Sequence, residues 1–263
     1  MKSGQRRTGY RLLVKIALVA VLGWQMQPFV SSAATGPILI DPNFPHSFCY
    51  QSGERFFPMG ETAYYLIAQP TNVITHYIDS RRSHKFNFIR MMAMAEGFWP
   101  FGGTPRDPRY TVINEAALQK WDWVFDYAAA RGMNIELIIW GYGVAGGEGL
   151  WASQSNQDHW ISTLVNRYKR WPNLFMFTIA NEFERYPDGQ YRYEPTDVEW
   201  ARGVAARIRE LDQVHPIGCQ IIHEQGRKEE LGSLQYNKKA GVHPAFLTHV
   251  LHLRTLALTK MDP

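Results

Sequence analysis

Cysteine is almost missing from this chain: Cys49 and Cys219 are the only two in 263 residues. In a secreted protein they could pair. They lie far apart in sequence, however, and two buried free thiols fit equally well. No Cys/His spacing suggests zinc, and the scattered histidines, with His223-Glu224, read as surface or loop residues. The first strand-to-helix turn has no glycine-rich dinucleotide fingerprint, and no G-x-x-x-x-G-K-[ST] loop occurs, which argues against nucleotide binding. A G-x-S-x-G elbow is also missing, which argues against a serine esterase. Basic runs interleaved with aromatics are lacking too, so nucleic acid is not an expected partner.

The amino terminus reads as targeting rather than fold. Lys2, Arg6, Arg7 and Arg11 form a positive region. Leu12 to Leu22 is apolar except for Lys15, and Ser31-Ser32-Ala33-Ala34 supplies small residues for cleavage. This is the pattern of a secretory signal peptide over residues 1–34. The apolar run is short for a bilayer span, which needs about 20 residues. The expectation is a secreted or periplasmic protein with no stable membrane insertion after cleavage. Residues 1–34 hold five Lys/Arg and no Asp/Glu, so removing them takes the formal +4 to −1. The basic balance therefore belongs to the leader.

Strands alternate with helices through the next 185 residues or so, enough chain for one large domain. Pro45 to Phe57 reads as a hairpin turning at Ser52-Gly53, and Phe56 to Gly60 as a short buried strand. Thr71 to His84 has helical spacing, with Thr71 as its N-cap, and Phe86 to Met92 is the next strand. A Gly- and Pro-rich loop, Gly97 to Arg109, follows. Asn114 to Arg131 is an amphipathic helix stopped by Gly132. Asn134 to Trp140 is a strand, Gln157 to Trp171 a helix, Leu174 to Ile179 a strand, Pro195 to Asp212 a helix, and Val214 to Cys219 starts a fifth strand. Such alternation implies βαβ units and a parallel sheet with its carboxyl ends on one face. A barrel and an open doubly wound sheet both satisfy it.

The strand from Leu174 ends at Ala180-Asn181-Glu182, an amide and a carboxylate where the chain leaves the core. Ligands bind at that edge of parallel sheets. An apolar floor there can raise a carboxyl pKa until the group donates a proton near neutral pH. Glu182 is thus a candidate general acid/base and Asn181 a candidate substrate hydrogen-bond partner.

Several segments carry a family resemblance: Phe56-Phe57-Pro58-Met59-Gly60-Glu61-Thr62-Ala63-Tyr64; Phe86-Asn87-Phe88-Ile89-Arg90; Tyr127-Ala128-Ala129-Ala130-Arg131-Gly132; Trp140-Gly141; and Trp171-Pro172-Asn173 through Glu182. Together, over roughly residues 45–219, they resemble a secreted (β/α)8 TIM-barrel glycoside hydrolase of the clan that holds the family 5 cellulases. Within that clan they look most like the apiosidase-like domains of unknown function.

The resemblance implies a retaining glycosidase that hydrolyses O-glycosidic bonds in poly- or oligosaccharides. Glu182 would protonate the leaving oxygen, Asn181 would bind the hydroxyl beside the anomeric carbon, and Arg90 would hold the nucleophile ionised. Glu61 would contact substrate. Trp140, Tyr142, Phe98 and Trp99 are candidate stacking platforms. Glu96 and Glu184 lie near the same rim without a role. The reaction needs two carboxyl groups and no metal or other cofactor.

The chain departs from that pattern after Cys219. About five βα units are legible, and no later glutamate, Glu224, Glu229 or Glu230, ends an apolar strand as a nucleophile should. Residues 220–263 read as an atypical tail in which Leu247 to Leu258 could be helical. The expectation is an incomplete α/β barrel over residues 35–219, its carboxyl-terminal part truncated or frameshifted; alternatively, residues 220–263 are genuine and cover the open sheet edge. A carbohydrate-binding barrel without catalysis, or an inactive truncated product, is the alternative.

Overall fold

Five strands run parallel and side by side in the computed structural model. They are β4 (Gly60–Thr62), β5 (Phe88–Met92), β8 (Asn134–Trp140), β9 (Leu174–Ala180) and β10 (Ile217–Ile222). The structure describes residues 36–140, 147, 150, 153–181, 195–222, 242–247 and 253–258; for 195–198, 220–222 and the last two segments it describes the backbone alone. Helices α1 (Thr71–Ser83), α2 (Glu115–Ala129), α3 (Gln154–Tyr168) and α4 (Pro195–Leu211) connect the five strands in order. This is an α/β fold of successive βα units, as the alternation predicts.

Side-chain parity divides the sheet into two layers. Ile89, Met91, Ile135, Leu137, Ile139, Phe177 and Ile179 join Leu118, Trp121, Phe125, Trp160 and Leu164 of the helices in one large core. The other face of the sheet begins with an apolar plug. Strands β1 (Ile38–Ile40), β2 (Phe48–Tyr50) and β3 (Arg55–Phe56) form a small antiparallel sheet. Its Ile38, Phe48 and Phe56 pack on Phe88, Phe175 and Met176, at the starts of β5 and β9.

Phe175 is the hub of this plug. It meets Phe48, Phe56 and Phe88 edge-on at centroid distances of 4.9, 5.1 and 5.5 Å. Its position follows from a bulge: Ile135 pairs with Leu174, but Glu136 pairs with Met176. The extra residue is Phe175, freed from the alternation to point into the plug.

Most boundaries fall where the residues predict, with five corrections. Phe56 to Gly60 is not one strand, because the chain breaks at Phe57-Pro58-Met59 and Phe57 is exposed. Pro70, not Thr71, caps α1, and no side chain closes that end. Residues 101–113 form a hairpin, β6 (Phe101–Thr104) with β7 (Asp107–Ile113), instead of an irregular loop. Helix α3 starts three residues early because Ser153 caps it, its hydroxyl accepting from the Asn156 N–H at 3.3 Å. Finally, of the segment read as a helix from Leu247 to Leu258, the described residues, Leu247 and Leu253–Leu258, are strand. There β11 (Val242–Leu247) and β12 (Leu253–Leu258) pair antiparallel, and β12 pairs antiparallel with β10.

Helices α1 and α2 end alike, which yields a test. After α1, the Phe86 N–H reaches the Arg81 carbonyl (3.1 Å) and the Lys85 N–H the Arg82 carbonyl (2.9 Å). After α2, Met133 bonds Ala128 (3.0 Å) and Gly132 bonds Ala129 (2.9 Å). Both are Schellman closures, which put one residue in the left-handed region. Gly132 fills that place with φ +64°, but Lys85 does so with φ 70° and an exposed side chain. Lys85→Gly should therefore raise the unfolding free energy by about 1 kcal/mol. A lower urea midpoint in the variant would contradict this.

A buried Asp212–His215 pair closes the turn before β10. Asp212 Oδ2 meets His215 Nδ1 at 2.7 Å, and Oδ1 accepts the N–H of Val214 (2.8 Å) and of His215 (3.3 Å). Burial raises the carboxyl pKa, but the His215 contact and the two N–H groups outweigh it and hold it below the ordinary aspartate value. A carboxyl with a depressed folded pKa stabilises above its unfolded pKa and loses that stabilisation as pH falls through the folded one. The Asp212→Asn variant should thus show a flatter loss of stability below about pH 4. Parallel acid limbs in the two proteins would show that Asp212 contributes nothing there.

Candidate active site

Above the plug the inner face turns polar. Arg90 follows Phe88 by two residues on β5, Glu136 follows Asn134 on β8, and Thr178 follows Met176 on β9, so all three point the same way as the plug residues. Register brings them together, since Arg90 is paired with Glu136. Arg90 Nε donates to Glu136 Oε1 at 2.8 Å, and Thr178 Oγ1 donates to the same oxygen at 2.6 Å. Arg90 is 7% exposed, Glu136 5% and Thr178 0%, so this is an ion pair in the protein interior.

The guanidinium also reaches toward the carboxyl ends of the strands. Its Nη1 donates to Tyr64 Oη at 3.1 Å and to Asn181 Oδ1 at 3.3 Å. Tyr64 stands just past β4, and its ring centroid lies 5.6 Å from the guanidinium carbon. Asn181 is buried directly after β9, and its backbone N–H bonds the Trp140 carbonyl at 3.0 Å. Nη2 of Arg90 is buried and has no hydrogen-bond partner among the described residues. One cation on β5 thus gathers a phenol from just past β4, a carboxylate from β8 and an amide from just past β9, with a donor left over.

Two tryptophans hold helices to this edge of the sheet. Trp121 of α2 donates its indole N–H to the Ala93 carbonyl at 3.2 Å, and Trp160 of α3 donates to the Ile139 carbonyl at 3.2 Å. The hairpin beyond β5 rests on the second of these, with Phe101 4.8 Å from Trp160.

The other candidates are dispersed. Glu61 is in register with Ile89, on the helix side of the sheet, and its carboxylate takes Tyr77 Oη and Arg81 Nε of α1. In this structure it ties a strand to a helix and lies apart from Arg90. Trp140 is fully buried and packs edge-on against Trp200 at 5.5 Å, so neither ring face is open for stacking. Trp99 is half-buried beside Phe101 and Tyr110, its indole donating to the Gly102 carbonyl at 3.3 Å. Phe98 is buried, and Glu96 is exposed. Glu182, Tyr142, Glu184, Glu224, Glu229 and Glu230 lie outside the described residues.

Glu136, Thr178 and Tyr64 are members of the cluster that reading the sequence missed. The signal was present: two otherwise buried strands each carry one charge, of opposite sign, and both charges share parity with the inward residues. Among the described residues, no group of three or more His, Cys, Asp or Glu could hold a metal ion. No described helix is long and apolar enough to cross a membrane.

A family model for the apiosidase-like catalytic domain matches residues 45–247. The chain belongs to the apiosidase-like catalytic domain family. That match runs past Cys219 and takes in β10 and β11. Solved structures agree on the fold of this apiosidase-like chain. A glycoside hydrolase family 5 protein from Bacteroides vulgatus superposes with TM-score 0.54 at 18% identity, over 69% of this chain and 39% of its own. An endo-1,4-beta-mannanase from Rhizomucor miehei gives 0.51 at 18% identity, over 70% and 58%. A beta-1,4-D-mannanase from Cryptopygus antarcticus gives 0.53 at 15%, over 76% and 63%. The apiosidase-like chain therefore spans less than two thirds of the length of any of these three. No curated protein matches it significantly.

Proposed function

We propose that this protein is a retaining glycoside hydrolase acting on O-glycosidic bonds of poly- or oligosaccharides outside the cytoplasm. Glu182 is its acid/base, and Asn181 hydrogen-bonds the sugar hydroxyl next to the reacting carbon. The observation that carries this reading is Asn181 itself. Its side-chain oxygen is taken by Arg90, so its amide N–H groups are what it can offer a ligand. The next residue in the chain is Glu182, at the strand end where this fold binds ligands. Family membership and the fold of the structural neighbours support the same reaction class.

A glycosidase of this kind works by differential stabilisation. Positive charge grows on the sugar ring as the bond breaks, and the leaving oxygen needs a proton. A carboxylic acid at the strand end supplies that proton, while donors fixed in advance hold the sugar hydroxyl. The second carboxyl of a retaining mechanism has no candidate among the described residues. Glu136 is the one buried glutamate of the cluster, and it is committed to Arg90 and Thr178. That commitment favours a second reading, in which the chain binds carbohydrate without turnover.

The deciding experiment incubates the purified full-length chain with a panel of aryl glycosides and polysaccharides. The first-formed anomer is followed by NMR. Hydrolysis with retained configuration is the expected result. Inverted product would overturn the retaining mechanism, and glycan binding without any released sugar would select the binding protein.

A further inference from the structure

We infer that Glu136 is a positioning residue for this site: it sets the plane of the Arg90 guanidinium and through it the orientation of the Asn181 amide. The inference rests on the glycosidase reading for its consequence, but not for its geometry. An arginine side chain has four rotatable torsions, and its five N–H donors lie in one rigid plane. Nη1 alone cannot fix that plane, because its bonds to Tyr64 and Asn181 are 3.1 and 3.3 Å long. The 2.8 Å bond from Nε to Glu136 is the short one, and it lies at the stem, where it governs both terminal nitrogens.

Glu136 is itself held from the opposite side. Thr178 on β9 donates to the same Oε1 at 2.6 Å, so one oxygen is gripped by both neighbouring strands. Beneath it lies the apolar plug, with Met176 as its paired residue. The carboxylate therefore cannot swing away without breaking two hydrogen bonds in a buried layer. The consequence passes outward: Glu136 fixes Arg90, Arg90 takes the Asn181 oxygen, and the Asn181 N–H groups are left aimed at the ligand.

A buried ion pair that merely held the strands together would act through its charge. A positioning group acts through the place of its acceptor atom. Two conservative variants separate these. Glu136→Asp keeps the charge but draws the acceptor back by one methylene. Glu136→Gln loses the charge but keeps an acceptor oxygen at the same reach. We expect Glu136→Asp to be the more stable of the two to heat, yet to lose about 100-fold in kcat with KM little changed. Glu136→Gln should lose less than about 10-fold in kcat. The stability order and the activity order would then be opposite. If kcat instead follows thermal stability through the series, Glu136 is structural and the inference is wrong.

Side-chain NMR of labelled arginine and asparagine supplies a readout free of any substrate. The Arg90 Nε–H should exchange slowly in wild type and Glu136→Gln, and fast in Glu136→Asp. Thr178→Val, which removes one grip with little change of shape, should give an intermediate rate. Equal exchange in all four proteins would overturn the inference even in the absence of activity. If wild type hydrolyses nothing while the exchange order holds, the glycosidase reading fails and the positioning geometry stands.

Discussion

Replacing Arg90 by methionine is expected to lower the unfolding free energy by about 3–5 kcal/mol, the usual cost of leaving a buried charge without its partner. The variant strands Glu136 in a layer where it has little water to turn to, since the residue is 5% exposed and sits over Phe88, Phe175 and Met176. Thr178 still donates one hydrogen bond, which offsets part of the loss. The double variant Arg90→Met with Glu136→Leu should recover most of the stability, because apolar groups of similar size need no compensation there. For a chain of this length each kcal/mol moves the unfolding midpoint by about 2–4 °C, so the single variant should fall by about 6–20 °C. Should the double variant prove less stable than either single one, the pair contributes net stability and the stated cost is mistaken. The double variant should also be inactive while folded, since Asn181 and Tyr64 lose their common donor. Stability and function thus separate at this pair: the interior would tolerate its removal, and the site would not.

The sequence made the framework legible because its signals were local. Leu174 to Ile179 and Asn134 to Trp140 are apolar runs bounded by polar turns, and both are strands in full. Asn114 announces α2 by its own chemistry, accepting the Ala117 N–H at 3.3 Å. Elements held by distant groups were not legible. The β6–β7 hairpin contains Gly102, Gly103 and Pro108, which read as a loop, and what holds it is Phe101 packing on Trp160 of another helix. Helix α3 was displaced by three residues because the hydroxyl of Ser153 was not weighed as a cap.

The site shows the same division. Asn181 was singled out from a strand end, and Arg90 from the family resemblance. Their meeting depends on a contact across 91 positions, which no local pattern encodes. Glu61 illustrates a parity error: a carboxylate at a strand end was assigned to the ligand side, but register with Ile89 puts it against α1. Trp140 illustrates a different one: an aromatic at a strand end serves equally as packing, and here the ring is buried against Trp200. Glu136 was overlooked because a single charge in an apolar run was read as part of the run. Pairing each inward charge with an opposite one on the neighbouring strand would have exposed it.

Glu182→Gln should lower kcat/KM on natural glycosides by about 10²–10⁴-fold, the usual contribution of a general acid or base. The size of the loss should depend on the leaving group. A sugar alkoxide is a poor leaving group and needs the proton as the bond breaks, whereas a nitrophenolate departs without one. Bond cleavage in an activated aryl glycoside should therefore be nearly normal in the variant. The second half-reaction, in which Glu182 activates water, should remain slow. Azide, which needs no base, should then restore turnover and yield a glycosyl azide of retained configuration. Glutamine keeps the volume and hydrogen-bonding oxygen of the glutamate, so the unfolding transition should stay cooperative with a midpoint near that of wild type. Equal loss on activated and natural substrates would assign Glu182 to the nucleophile's role instead. An unchanged rate on both would remove it from the chemistry, and Asn181 would then be read as part of a carbohydrate-binding surface alone.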